Sequence, residues 1–135
     1  MKLKLALAGA LLTLGLAAPA SAHIPPVGGY QWQLIGTRDV RNHAEYDAIP
    51  AFGHAHYRQI KLCVYRKPVR LYDLDVVFHN GGHQDLGVRN VLYPGQCTRA
   101  IDLRGNRRDI RFVTMAYETL GRRFGRHAVV QVYAR

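Results

Sequence analysis

The chain has 135 residues, a formal net charge of +10 and two cysteines. Ser21 is its only serine, so a serine hydrolase is excluded from everything downstream of that residue. Neither a G-x-x-x-x-G-K-S/T nor a G-x-G-x-x-G loop occurs, and there is no H-E-x-x-H, which removes the common phosphate-binding and zinc-hydrolase motifs.

Met1-Lys2-Leu3-Lys4 is a short basic head, and an apolar run rich in Leu and Ala continues to Ala18. Ala20-Ser21-Ala22 then supplies a small-x-small cleavage site, so residues 1–22 read as a secretory signal peptide. No second apolar stretch of spanning length follows, which predicts an exported, periplasmic or extracellular protein without a transmembrane span. Loss of Lys2 and Lys4 with the signal leaves 17 basic residues against 9 acidic ones, a charge of +8, and 15 of the 17 are arginine. Residues 23–29 form a Pro/Gly-rich leader, and residues 30–135 are expected to form a single domain.

Along that domain short runs with strand chemistry alternate with Gly, Pro, Asn and Asp. In Tyr30–Gly36 the alternation places Trp32 and Leu34 on one face. Glu45–Ile49 is a weaker strand, and Gln59–Arg66 alternates Ile60, Leu62 and Val64 against Lys61, Cys63 and Tyr65. Val69–Leu71 leads through Tyr72-Asp73 into Leu74–His79, where Leu74, Val76 and Phe78 share a face. His83–Val88 and Thr98–Leu103 follow. In Asp109–Glu118 the apolar face switches from Ile110 and Phe112 to Val113, Met115 and Tyr117, as a bulge would produce. Ala128–Tyr133 closes the series. Seven or eight short strands with period-2 patterning predict an all-β antiparallel β-sandwich of jelly-roll type, with a small closed barrel as the alternative.

Cys63 and Cys97 are expected to form one disulfide, because an even count in an exported chain favours a bridge and no C-x-x-C spacing points to redox or metal chemistry. Cys63 is out of phase with Ile60, Leu62 and Val64, so the bridge should tie a strand to a distant loop or sheet edge rather than sit in the apolar layer.

Between the strands, Asn80-Gly81-Gly82 reads as a three-residue hairpin loop with Gly82 in the left-handed conformation. In that register His79 opposes His83, close enough to share a metal ion. His54 and His56 have i,i+2 spacing and would share a strand face. Cleavage after Ala22 would make His23 the N-terminal residue, able to chelate copper through its amine and ring; cleavage after Ala20 would put it third, another copper-chelating position. These five histidines form the candidate copper or zinc set. The carboxylates Asp73, Asp75 and Asp85 gather around the hairpin, where a glycan-acting hydrolase would need opposed acids.

Read together, "QWQLIGTRDV", "YRQIKLCV", "LYDLDVVFHNGGHQDLGV", "VLYPGQCTRAIDLRG" and "VVQVYAR" resemble the YaaI-like secreted bacterial proteins, a family of unknown function. The resemblance covers most of residues 31–134 and implies an exported β protein; it implies no catalytic residues.

The function expected from these features is a non-catalytic binding or envelope-associated module. Its working surface would be Arg104, Arg107, Arg108 and Arg111 on one loop and Arg122, Arg123 and Arg126 on another, forming one anion-binding patch if the loops share an end. Arginine's planar fork suits phosphate and carboxylate. The partner would be an anionic envelope component, a lipid phosphate or an acidic glycan; export argues against nucleic acid.

Overall fold

A computed structural model describes Gly15 and residues 31–41, 45–122 and 125–135. Apart from Gly15, the expected signal and leader segments lie outside the described residues, as do His23 and Arg123.

The described residues contain no helix and ten strands: β1 (Gln33–Val40), β2 (Glu45–Pro50), β3 (His56–Tyr57), β4 (Gln59–Tyr65), β5 (Val69–Phe78), β6 (His83–Asp85), β7 (Val91–Leu92), β8 (Ile101–Asp102), β9 (Arg108–Thr119) and β10 (Ala128–Ala134). They form two sheets, ordered β1-β10-β4-β8 and β2-β9-β5-β6, with β3 added to β9 and β7 added to β5. All pairings are antiparallel. Without the two-residue β3 and β7, chain order reads first-eighth-third-sixth in one sheet and second-seventh-fourth-fifth in the other. That interleaving is the jelly-roll sandwich expected from the strand pattern.

The core is the apolar face of each sheet. Ile60, Leu62 and Val64 of β4 and Val130 and Val132 of β10 face Leu74, Val76 and Phe78 of β5 and Val113, Met115 and Tyr117 of β9, all of them buried. Period-2 alternation predicted these faces because flat sheet segments present every second side chain to the same side. A face switch in β9 is present, but it falls before Phe112 rather than after it: β5 pairs Val77 with Phe112 and Phe78 with Ile110, so Arg111 is the extra residue of a bulge and Phe112 leaves the core face that Ile110 occupies. A second irregularity between Leu71 and Asp73 lets both Leu71 and Leu74 be buried on one continuous strand, where the alternation suggested an interruption.

The first strand departs from its expected phase. Leu34 is exposed, whereas Ile35 and Val40 are buried. The β1–β10 register shifts between Leu34 and Gly36, so Ile35 bulges inward and the alternation on either side is inverted. Trp32 then lies outside the core, with Lys61 Nζ and the Arg135 guanidinium each 4.5 Å from its ring. Gly36 is required here by close approach: a Cβ would stand 2.9 Å from Ile49 Cγ2 and 2.9 Å from the Pro50 carbonyl oxygen.

Cys63 and Cys97 are bridged. The loop before β8 lies along the free edge of β4, where Val64 N–H donates to the Gln96 carbonyl at 3.0 Å and Thr98 N–H to the Leu62 carbonyl at 2.8 Å. The disulfide therefore ties a strand to a loop at its edge, closing a long loop worth about 4 kcal/mol in the chain-entropy description.

One buried polar side chain holds the two sheets in register. Gln84 faces the core opposite Val76. Its Nε2 donates to the Asp102 carbonyl at 3.0 Å, and its Oε1 accepts from Arg104 N–H at 2.8 Å. The glutamine thus pairs with the backbone leaving β8 as another strand would. Gln84→Leu would leave the part-buried bonds to the Asp102 carbonyl and the Arg104 amide unmade, at about 1–3 kcal/mol per group. Chemical denaturation should show a loss of about 2–4 kcal/mol; a change within about 0.5 kcal/mol would show that solvent replaces both bonds.

Candidate functional site

The β5–β6 hairpin sets the geometry of the end of the sandwich that it caps. Phe78 N–H donates to the Gly82 carbonyl at 2.8 Å and Gly81 N–H to the Phe78 carbonyl at 3.0 Å. The loop has three residues, as expected, but they are His79, Asn80 and Gly81, one position earlier. Gly81, at φ 88°, takes the left-handed position rather than Gly82. The Asn80 carboxamide closes the turn by accepting from Gly82 N–H at 2.9 Å. Below the loop Val77 pairs with His83, Val76 with Gln84 and Asp75 with Asp85. His79 and His83 are therefore not opposed. Gln84 faces the core in either register; in the observed one it lies opposite Val76 and its amide is consumed by the backbone around β8.

In the observed register His79 meets different partners. Its amide donates to the Asp109 carbonyl at 3.0 Å, which locks the loop to the start of β9. Its Nε2 lies 3.6 Å from Asp109 Oδ1. His54, on the segment entering β3, brings its Nδ1 to 3.4 Å from Asp109 Oδ2. The two imidazole rings are 4.6 Å apart between centroids and tilted by 44°. One donor atom from each of His54, His79 and Asp109 lies within 4.8 Å of the other two. Asp109 Oδ1 is buried and has no hydrogen-bond partner among the described residues. Tyr57, buried beside this carboxylate, has its phenol pushed up by burial and then by the Asp109 charge.

The two nitrogen–oxygen separations, 3.4 Å and 3.6 Å, are close to those between ligands of one ion. Ligand atoms roughly 2.1 Å from a tetrahedral ion stand about 3.4 Å apart. The chemistry of two imidazoles and one carboxylate suits zinc or copper. Asp109 was not among the expected ligands. It stands 55 residues from His54 in the chain, and no spacing motif joins them. His56 lies in β3 directly opposite Asp109. His83 is on the outer face of the larger sheet, paired with Val77.

The arginines do not form one patch. Arg104 and Arg107 lie before β9, whereas Arg122 and Arg126 follow it, at opposite ends of a 12-residue strand. Such a strand spans roughly 35 Å. Arg108 is occupied structurally: its guanidinium stacks 3.6 Å from the Phe78 ring centroid, Nη1 donates to the Arg104 carbonyl at 2.8 Å and Nη2 to Asn80 Oδ1 at 3.3 Å. Arg111 leans toward the Phe112 ring.

Asp73, Asp75 and Asp85 do converge, on the outer face of the larger sheet. Arg89 bridges two of them, 3.6 Å from Asp73 and 3.2 Å from Asp85. Asp85 is held low, first by the Gly87 amide and then by Arg89, while Asp75 is pushed up by partial burial and by the charges of Asp73 and Asp85.

A family model described as a domain of unknown function, DUF2541, matches residues 6–134. The chain belongs to this family. No curated protein and no solved structure matches it. The family match agrees with the sequence reading in being to an uncharacterised group, and it carries no YaaI-like label.

The raised Asp75 has a signed consequence. Its proton is held more tightly in the folded chain than at the ordinary value of 3.8, so stability falls as pH rises from there through the raised folded value. Asp75→Asn should raise the thermal midpoint at about pH 7 and leave it nearly unchanged at about pH 3, where the wild-type carboxyl is already protonated. An equal shift at both pH values would show that charge is not the cause.

Proposed function

We propose that this DUF2541 protein is an exported binding module whose hairpin end holds a divalent transition-metal ion, zinc or copper, through His54, His79 and Asp109. The observation that carries this reading is the convergence of three donor groups from three separate segments within 4.8 Å, around a carboxylate oxygen that is buried and accepts no hydrogen bond among the described residues. A metal ion would satisfy that oxygen and draw in ring nitrogens that already lie within 4.8 Å of the carboxylate. The Cys63–Cys97 bridge supports export, because such bridges persist in oxidising compartments. Among the described residues no helix is long and apolar enough to cross a membrane. The narrower YaaI-like kinship rests on the sequence motifs and fits the same picture of an exported β protein.

Protein purified without an affinity tag should bind one zinc or copper ion in isothermal titration. Asp109→Asn should weaken binding by about 100-fold or more, beyond the 10- to 100-fold typical of residues outside the coordination sphere. No uptake of either ion by the wild-type protein would overturn the reading.

A second reading is favoured by Arg104 and Arg107, which are exposed at the same end and make no salt bridge among the described residues. They support binding of an anionic envelope component, such as a lipid phosphate or an acidic glycan, at this end alone. Vesicles containing an anionic lipid should retain the protein at low salt and release it at high salt. Arg104→Glu with Arg107→Glu should abolish retention while Arg122→Glu with Arg126→Glu leaves it largely intact; equal losses would locate the anion site elsewhere.

A further inference from the structure

The metal reading above names three ligands and leaves a fourth position to be filled. We infer that His56 fills it, so that the site closes around the ion as a four-coordinate holder with three imidazoles and one carboxylate. This inference rests on the metal reading and adds to it the composition of the sphere and the class of site.

His56 and Asp109 are register partners in the antiparallel β3–β9 pair. Directly opposed residues carry their side chains on the same face, with Cβ atoms about 5 Å apart. Ala55 packs against the core and Tyr57 is buried, so the alternate residues His54 and His56 project to the other side, where Asp109 receives His54. The His56 side chain is exposed and makes no hydrogen bond or salt bridge among the described residues. It is therefore free to rotate toward the ion without giving up a partner.

Four protein donors on a tetrahedral ion leave no position for water or substrate, which is the arrangement of a structural or storage site rather than a hydrolytic one. The ion would also join three segments: the 54–56 strand entry, the hairpin loop at His79 and the start of β9. The β3–β9 ladder has only two residue pairs of its own, so the ion would be a large addition to what holds β3 in place.

The test uses the full exported protein loaded with zinc alone. X-ray absorption should count three imidazoles in the wild type and two in His56→Ala. Zinc affinity should fall by about 100-fold or more in His56→Ala, as for loss of a ligand, and stay unchanged in His83→Ala, an exposed histidine on the sheet face. Because His56 is exposed, its removal should leave the far-ultraviolet circular dichroism spectrum unchanged. Two imidazoles in the wild type, with affinity unaffected by His56→Ala, would overturn the fourth ligand while leaving the three-ligand site in place. Failure of the wild type to bind zinc at all would overturn both.

Discussion

The Phe78 amide donates to the Gly82 carbonyl at 2.8 Å, and that bond closes the hairpin over His79, Asn80 and Gly81. Much of the end that carries the candidate site follows from it. With the hairpin closed there, Phe78 is the last inward residue of β5 and offers its ring to Arg108. Arg108 in turn braces Asn80 and the Arg104 carbonyl, so the β8–β9 loop and the hairpin are held together by one guanidinium. His79 is left in the loop, where its amide bonds to the Asp109 carbonyl and its ring reaches the Asp109 carboxylate. A closure one residue later would pair His79 with His83 and draw it away from Asp109.

Gln84 of the same hairpin faces inward. A buried amide side chain is costly unless both its ends are satisfied. Here the backbone around β8 satisfies both, and the two sheets gain a polar link at one side of the core. A second link lies at the β1–β2 side. Arg38 donates to Asp47 at 2.8 Å, and the buried Tyr117 hydroxyl donates to the same carboxylate at 2.9 Å. That phenol is pushed far up, first by burial and then by its bond to Asp47. The sandwich is therefore apolar at its centre and joined by directional bonds between its sheets, which gives the loops at each end a defined relative position.

How much of this was legible depended on how local the signal was. Ile60, Leu62 and Val64, or Val130 and Val132, could be assigned to the core from alternation because their strands are straight and their neighbours regular. The disulfide was legible because two cysteines allow one pairing. The hairpin loop length was legible from its glycines and asparagine, but its position was not: both registers keep Phe78, Gln84 and Leu86 on the core face, so alternation does not separate them. The phase of β1 was hidden for a similar reason. Ile35 bulges inward to meet a core built by other strands, and nothing in "QWQLIG" marks the extra residue. A single arginine patch required the two loops to share an end, but the loops before and after β9 lie at its opposite ends.

The amino-acid order by itself determined the all-β class, the jelly-roll series of short strands, most of the apolar faces and the pairing of Cys63 with Cys97. Those properties come from period-2 patterning, turn chemistry and counting, which act over a few residues or admit one solution. Only the tertiary structure decided which histidines share a carboxylate, which glycine turns the hairpin and which arginines share an end. His54, His79 and Asp109 come from segments far apart in the chain, and they converge because β3 and the hairpin loop both dock on the start of β9. Convergence of that kind depends on the register of hydrogen-bonded ladders, a property of strand pairs that no single strand's sequence contains.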